Sequence, residues 1–535
     1  MDPIGLTEAN KPDAHLDGQD LDCGSGLLLL IRQHLGPLER GQILHIRSTE
    51  KSVADDLPSW SRLTGNALLR TTTELEAGRT AHHFLVIKGS AAEREAWLAL
   101  RPSRTKRANQ EKTNLSSQEL QKSLGVAFPV EAAHQTVDRA IPLPPRGEAV
   151  EPLPALAVFG IGSMPRPGWL LRMLHEKLEG RIGEEEFENA ADDAARLAVQ
   201  AQKDAGVSVL SDGEQRRDSY SSFVGSRLSC CRLIPITDLL PYVDDPEKFQ
   251  KELEQLDIPA QKVHHPALIA RLRRNRPLAL QELAWLRTVT KAPVKIALPG
   301  PYLLTRTLYL ECLSEKVYAD RESLAEDVIK LLREEIADLI DHGANLVQID
   351  EPVLTEVVFA PPKKRRSFMC GALSERRPKN EELEFAQSIL VRTLEGFPRE
   401  RLAMHVCRGN WSRDESVALS GDYGPLVDLL GKIPVGTLLL EFSTPRAGEM
   451  RVLTALPKQV RLGLGLVNPK TMEIESESII MKRAEEAFEL FGRERIAAIH
   501  PDCGFATFAD NPVSSLAVAS RKLEALAKAA QKLRI

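Results

Sequence analysis

From about residue 153 onward, short apolar runs recur between longer stretches with helical spacing. The runs are Leu156–Ile161, Val207–Leu210, Val294–Leu298, Ala344–Ile349, Arg401–Val406, Thr437–Glu441, Val460–Val467 and Arg495–His500. Apolar positions between them fall at helical intervals, as at Val328, Ile329, Leu331, Leu332, Ile336, Leu339 and Ile340 within 324–342. This alternation predicts an α/β domain over 153–535, best fitted by a (β/α)8 TIM barrel with insertions. A doubly wound open sheet is the alternative. One insertion, roughly 222–285, carries Cys230-Cys231 and a helix-like stretch from Ala267 to Arg274.

The chain before residue 153 has a different character. Residues 1–15 are polar and expected to fray. Over 16–100 the pattern gives a small α/β two-layer unit: a helix over Ser25–Leu35 stopped by Gly36-Pro37, a strand over Gln42–Arg47, and a helix over Ser52–Thr64 closed by Gly65. Two further strands follow, at Asn66–Glu74 and Ala81–Gly89. Residues 101–152 lack sustained periodicity and hold a basic cluster and a proline-rich stretch, the pattern of a linker.

Composition narrows the function. Hydrophobic residues make up 43% and charged residues 27%, as in soluble globular proteins, and a formal net charge of −5 offers no footprint for nucleic acid. No run approaches the roughly 20 apolar residues a membrane span needs, and the N-terminus lacks a basic, then apolar, leader, so a cytoplasmic location is expected with no membrane partner. Seven cysteines scattered over 535 residues argue against a disulfide framework and leave thiols free for chemistry.

Those thiols fall where a barrel places its chemistry. At the end of one apolar run, the period of two puts His405 and Cys407 on one face. Glu441 ends another run and Cys503 follows a third. An imidazole, two thiols and a carboxylate together form a zinc-type donor set. Each residue alone reads equally as a buried hydrophobe or a hydrogen-bonded strand end, and no compact zinc-finger spacing is present.

The N-terminal unit resembles the TusA/SirA-type sulfur-carrier family through Gly41-Gln42-Ile43-Leu44, Asp55–Trp60 and Leu63-Thr64-Gly65-Asn66. That family carries persulfide on a cysteine opening its first helix within Cys-Pro-x-Pro. Here the matching stretch is Leu21-Asp22-Cys23-Gly24-Ser25, without either proline. Cys23 is the sulfur-carrier candidate, with a possible sulfur-transfer partner; a degenerate docking or regulatory module is the other reading.

Residues from about 155 to 535 resemble the catalytic barrel of cobalamin-independent methionine synthase, the MetE family. The shared motifs are Ile161-Gly162-Ser163, Asp212-Gly213-Glu214, Gly300-Pro301, Gln348–Pro352, His405-Val406-Cys407, Glu441 and Pro501–Gly504. The resemblance implies Zn2+ held by His405, Cys407, Glu441 and Cys503, and homocysteine bound by Ile161, Gly162, Ser163, Glu214 and Asp350. Glu356 matches a folate-contacting glutamate. The implied reaction moves a methyl group to the homocysteine thiol, activated as a zinc thiolate, to give methionine.

Departures from the pattern bear on the methyl donor. The folate-using enzymes have a proton-donating histidine where Lys470 stands, and a folate-holding tryptophan at or near Thr307. The chain thus resembles the short core branch, whose donor can be a methylcorrinoid protein rather than methyltetrahydrofolate. His500, where the family usually has asparagine, is a candidate proton source. Glu214, Asp350 and His500 are accordingly the candidate catalytic residues. Two other readings stay open: zinc-dependent alkylation of another thiol, as in coenzyme M transferases, and a sulfur-relay or regulatory fusion acting through Cys23.

Overall fold

A computed structural model describes residues 10–19, 27–36, 38–76, 79–100, 141–147, 149–178, 181–219, 222–235, 264–309, 317–360, 377–410, 419–506 and 514–534. The chain divides into two compact units. Cys23 and most of the segment 101–152 lie outside the described residues.

The N-terminal unit is a four-stranded sheet in the order β1-β2-β4-β3. Its strands are β1 (Ala14–Asp17), β2 (Ile43–Ser48), β3 (Ala67–Glu76) and β4 (Arg79–Ile87). Helices α1 (Leu28–Leu35) and α2 (Val53–Leu63) share one core with Leu16, Leu44, Ile46, Phe84 and Val86. The strands and helices from 28 to 87 follow the periodicity. Two elements do not: β1 begins in the last two residues of the stretch expected to fray, pairing Ala14 with Leu44 through Asp17 with Arg47, and a third helix, α3, occupies Ala91–Leu100. A four-residue strand gains its stability from a partner some 30 positions away, which local pattern does not report.

The second unit is built on a parallel sheet in the order β5-β13-β12-β11-β10-β9-β8. These strands are β5 (Ala157–Val158), β8 (Lys295–Pro299), β9 (Leu346–Asp350), β10 (Leu402–Val406), β11 (Thr437–Glu441), β12 (Arg461–Val467) and β13 (Ile496–Pro501). Strands consecutive along the chain are neighbours from β8 to β13, the order of a singly wound, curled sheet. Residues 207–210, expected as a strand, make a single bridge, Leu210 with Val294. Ser208 and Val209 donate to the carbonyl of Val158, and Leu210 donates to Pro293 and accepts from Lys295, so this segment touches both edges of the sheet.

β8, β9, β10 and β11 are buried at every position, as expected of strands with side chains inside and helices outside. The outer helices begin where the sequence supplies caps. Asp320 accepts from the Ser323 amide at the start of Arg321–Asp341, and Ser476 from Ile479 at the start of Glu477–Phe491. Cys231–Pro235 (β6) and His264–Leu268 (β7) form a separate two-stranded sheet. The helix expected over Ala267–Arg274 is not formed. Its first two residues belong to β7, and pairing with β6, continued by Ile269 donating to the Cys230 carbonyl, holds the start of the stretch extended instead.

Candidate metal and substrate site

The C-terminal ends of β9, β10, β11 and β13 meet at one side of the sheet. His405, next to last in β10, lies directly opposite Asp350 in the parallel register with β9. Cys407 follows two residues later, and the turn after β13 brings Cys503 to the same place. The ligand atoms of His405, Cys407 and Cys503 lie within 4.8 Å of one another. They border a cavity of about 460 Å3, part of it open to solvent, whose other walls include Ile161, Gly162, Ser163, Glu214 and Asp350.

Hydrogen bonds set the state of these groups. His405 Nδ1 lies 3.1 Å from Asp350 Oδ1 and Nε2 lies 3.1 Å from the Asp502 carbonyl. Burial pushes the imidazole down, but the Asp350 hydrogen bond and the negative charge of Cys407 outweigh it and raise His405 to about 9. The Cys503 thiol donates to Cys407 and lowers it to about 7, burial opposing and His405 assisting. An imidazole held by a carboxylate on its far nitrogen, beside a thiolate-forming pair, is a soft donor set that suits zinc.

Glu441 stands apart from this trio. It is buried at the end of β11 with Oε1 3.1 Å from Arg408 Nη1 and Oε2 3.4 Å from Arg446 Nη2. Arg408, fully buried, also donates to the carbonyls of Gly421 and Ala447, and its guanidinium lies 4.0 Å over the Tyr423 ring. The Tyr423 hydroxyl joins β10 to β11, donating to Val406 O and accepting from Glu441 N.

The opposite wall is polar and preformed. Ser163 donates to Glu214 Oε2 at 2.7 Å. Glu214 sits at φ 53, behind Gly213 at φ 72, and its amide is held by Asp212 Oδ1 at 2.9 Å. A left-handed backbone costs a residue with a Cβ about 1–3 kcal/mol, and here the turn aims the carboxylate into the cavity. A Cβ on Gly162 would come within 3.4 Å of Gly504, so the two loops pack closely.

Several sequence-singled residues lie elsewhere. His500 is fully buried, stacked on Phe159, with Nδ1 2.7 Å from Pro501 O; burial lowers it to about 3. A neutral ring outside the cavity lining does not fit the proton-donor role. Glu356 is buried 3.5 Å from Arg306, and neither it, Lys470 nor Thr307 is among the cavity residues. Glu351 caps a different element from its own, accepting from the Tyr302 and Leu303 amides at the start of the helix Pro301–Leu308.

Sequence reasoning missed Arg408, Asp502 and Asn410. Asn410 lines the cavity and donates to Gly504 O; Asp502, raised to about 8 by burial and then by Glu441, accepts from the Phe442 and Ser443 amides. Adjacency to Cys407 and Cys503 was the available signal.

The comparisons agree with this geometry. The family description "Cobalamin-independent synthase, Catalytic domain" matches residues 253–530. A methionine synthase of Pyrococcus abyssi is 27% identical over 354 residues, 66% of this chain and 87% of that protein. The Pyrococcus horikoshii methionine synthase is 27% identical over 384 residues, 71% and 94% respectively. The structure of a B12-independent methionine synthase from Shewanella sp. W3-18-1, in complex with selenomethionine, superposes with TM-score 0.54 and 22% identity over 72% of this chain and 98% of that one. A putative vitamin-B12-independent methionine synthase from Listeria monocytogenes gives 0.51 and 19%, over 71% and 99%. With more than half its length matched and the site residues gathered at the strand ends, the chain belongs to the cobalamin-independent synthase family through its catalytic domain and is a methyltransferase.

Proposed function

We propose that this protein transfers a methyl group to the thiol of homocysteine, giving methionine, at a zinc site formed by His405, Cys407, Cys503 and Glu441. The observation that carries the reading is the convergence of the imidazole and two thiols on a cavity faced by Glu214 and Asp350. Zinc, when bound there, would supply Lewis acidity that keeps a substrate thiol deprotonated at neutral pH.

The remaining work belongs to the chain. Glu214 and Asp350 offer two carboxylates to an α-ammonium group, and Ser163 holds Glu214 in place for it. The loop Ile161–Ser163 offers backbone N–H groups to an α-carboxylate. Asp350 also orients His405. Glu441, a hard oxygen donor paired with Arg408 and Arg446, would be the weakest-held member of a zinc ligand set beside two thiolates. The acidic pair favours an amino-acid thiol over a sulfonate thiol such as coenzyme M, because two carboxylates would repel a sulfonate.

The same reading completes the curled sheet as a (β/α)8 barrel whose second strand is 207–210, and takes residues 16–100 as a sulfur-carrier-like unit joined by the linker 101–152. The donor is a methylcorrinoid: with Lys470 in place of the family histidine and His500 held neutral, neither of these two residues is a well-tuned source of the proton that a folate nitrogen requires.

The test is methyl transfer by purified, zinc-assayed, full-length protein with homocysteine, offering methylcobalamin and methyltetrahydrofolate in parallel and comparing Cys503→Ser. Methionine from methylcobalamin alone supports the reading. Turnover with the folate overturns the donor assignment, and bound zinc without methionine from either donor overturns homocysteine methylation.

A further inference from the structure

Beneath the cavity, inside the sheet, lies a polar pair in which Lys295 opens β8 and Gln348 lies on the neighbouring β9, both essentially inaccessible to solvent. Lys295 Nζ donates to the Ile161 carbonyl at 2.6 Å and to Gln348 Oε1 at 2.8 Å. Gln348 Nε2 donates to the same Ile161 carbonyl at 2.9 Å and to Asp350 Oδ1 at 2.7 Å. Asp350 Oδ1 in turn faces His405 Nδ1 at 3.1 Å.

The chemistry of the groups fixes the direction of every bond. An ammonium only donates, so the oxygen of the Gln348 amide must face Lys295 and its NH2 must face Ile161 and Asp350. A carboxylate only accepts, so Asp350, already receiving one N–H from Gln348, accepts the Nδ1–H of His405; Nε2, which here faces the Asp502 carbonyl, is the nitrogen that would bind a metal on giving up its proton. Without the ammonium, the Gln348 oxygen and the Ile161 carbonyl each lose a buried donor, and the amide is held only through its NH2, by Ile161 and Asp350.

We infer that Lys295 and Gln348 are positioning residues that support both halves of the site at once, orienting His405 through Asp350 and fixing the Ile161–Ser163 loop through the Ile161 carbonyl. The inference rests on the zinc and homocysteine reading above. It extends that reading to residues that touch neither ion nor substrate, and it explains a lysine inside an apolar strand. Carboxylate and carbonyl partners of metal-bound histidines typically account for 10- to 100-fold in metal affinity or activity.

The experiment measures zinc affinity by chelator competition, and the homocysteine KM, for the full-length protein and for Lys295→Met and Gln348→Glu. Gln348→Glu keeps an oxygen for Lys295 but has no N–H for Asp350, so it serves if Lys295→Met does not fold. Both are expected to weaken zinc binding by roughly 10- to 100-fold and to raise the homocysteine KM, while the KM for the methyl donor stays unchanged. A purely structural role predicts a lower melting temperature with zinc affinity and homocysteine KM as in the parent. That result, in a parent protein that does bind zinc, overturns this inference alone. A parent protein that binds no zinc overturns the metal reading with it.

Discussion

Arg408 and Glu441 face each other at the C-terminal ends of β10 and β11, Nη1 to Oε1 at 3.1 Å, with both side chains almost wholly shut off from water. Removing one partner of a buried pair costs about 3–5 kcal/mol, because the other charge is left without compensation. Arg446 at 3.4 Å moderates that loss. Arg408→Met should therefore lower the stability of the metal-free protein by about 3 kcal/mol, and zinc should restore part of it by giving Glu441 a new partner. Thermal melts with and without zinc check this; an equal fall in both forms would contradict the ligand role of Glu441.

Ser163→Ala removes the 2.7 Å hydrogen bond to Glu214 without touching the thiol ligands. A hydrogen bond to a charged group contributes about 1.5–3 kcal/mol, so the homocysteine KM should rise roughly 10-fold or more. Zinc content should be unchanged. Steady-state kinetics and metal analysis of one preparation decide it.

Gly465 lies on β12 beside the site, and a Cβ there would meet Asp502 Oδ1 at 2.4 Å and the Glu441 Cα at 3.0 Å. Backbone on one side leaves little room to yield. Gly465→Ala is expected to destabilise the protein by about 1–3 kcal/mol and to weaken zinc binding through the displaced Asp502 turn. Urea unfolding and chelator competition measure the two effects separately.

The N-terminal unit carries its own pH dependence. His45 lies between His15 and His83, with ring nitrogens 3.1 Å from each, and Asp17 and Arg47 share that face. Burial, then the two neighbouring rings, lower it from 6.5 to about 4. Between those values the unfolded chain takes a proton that the folded unit refuses. Stability of this unit should accordingly fall as pH drops from about 6.5 to about 4. His45→Gln should flatten that limb, as read by amide exchange of peptides covering Ile43–Ser48.

Much of this was legible in the chain, for identifiable reasons. β8 to β13 are buried on both faces, so they read as apolar runs, and His405 and Cys407 were visible because two residues of strand period must share a face. What stayed hidden was long-range. β1 depends on a partner some 30 residues away, and 207–210 forms one bridge where a strand was expected. Arg408 and Lys295 are charged residues that sequence pattern assigns to the surface; their burial depends on Glu441, Gln348 and carbonyls from distant loops. His500 looked chemical beside Cys503, yet its side chain turns into the core against Phe159.

The closeness of Cys407 and Cys503 has a cost under oxidising conditions. Their sulfurs sit within 4.8 Å, and Cys407, at about 7, carries thiolate at neutral pH while Cys503 is partly open to solvent. In the metal-free chain an oxidant can join the two as a disulfide, closing the site against reloading until a reductant reopens it. The ion that activates the substrate thiol would thus also shield the protein's own thiols from each other.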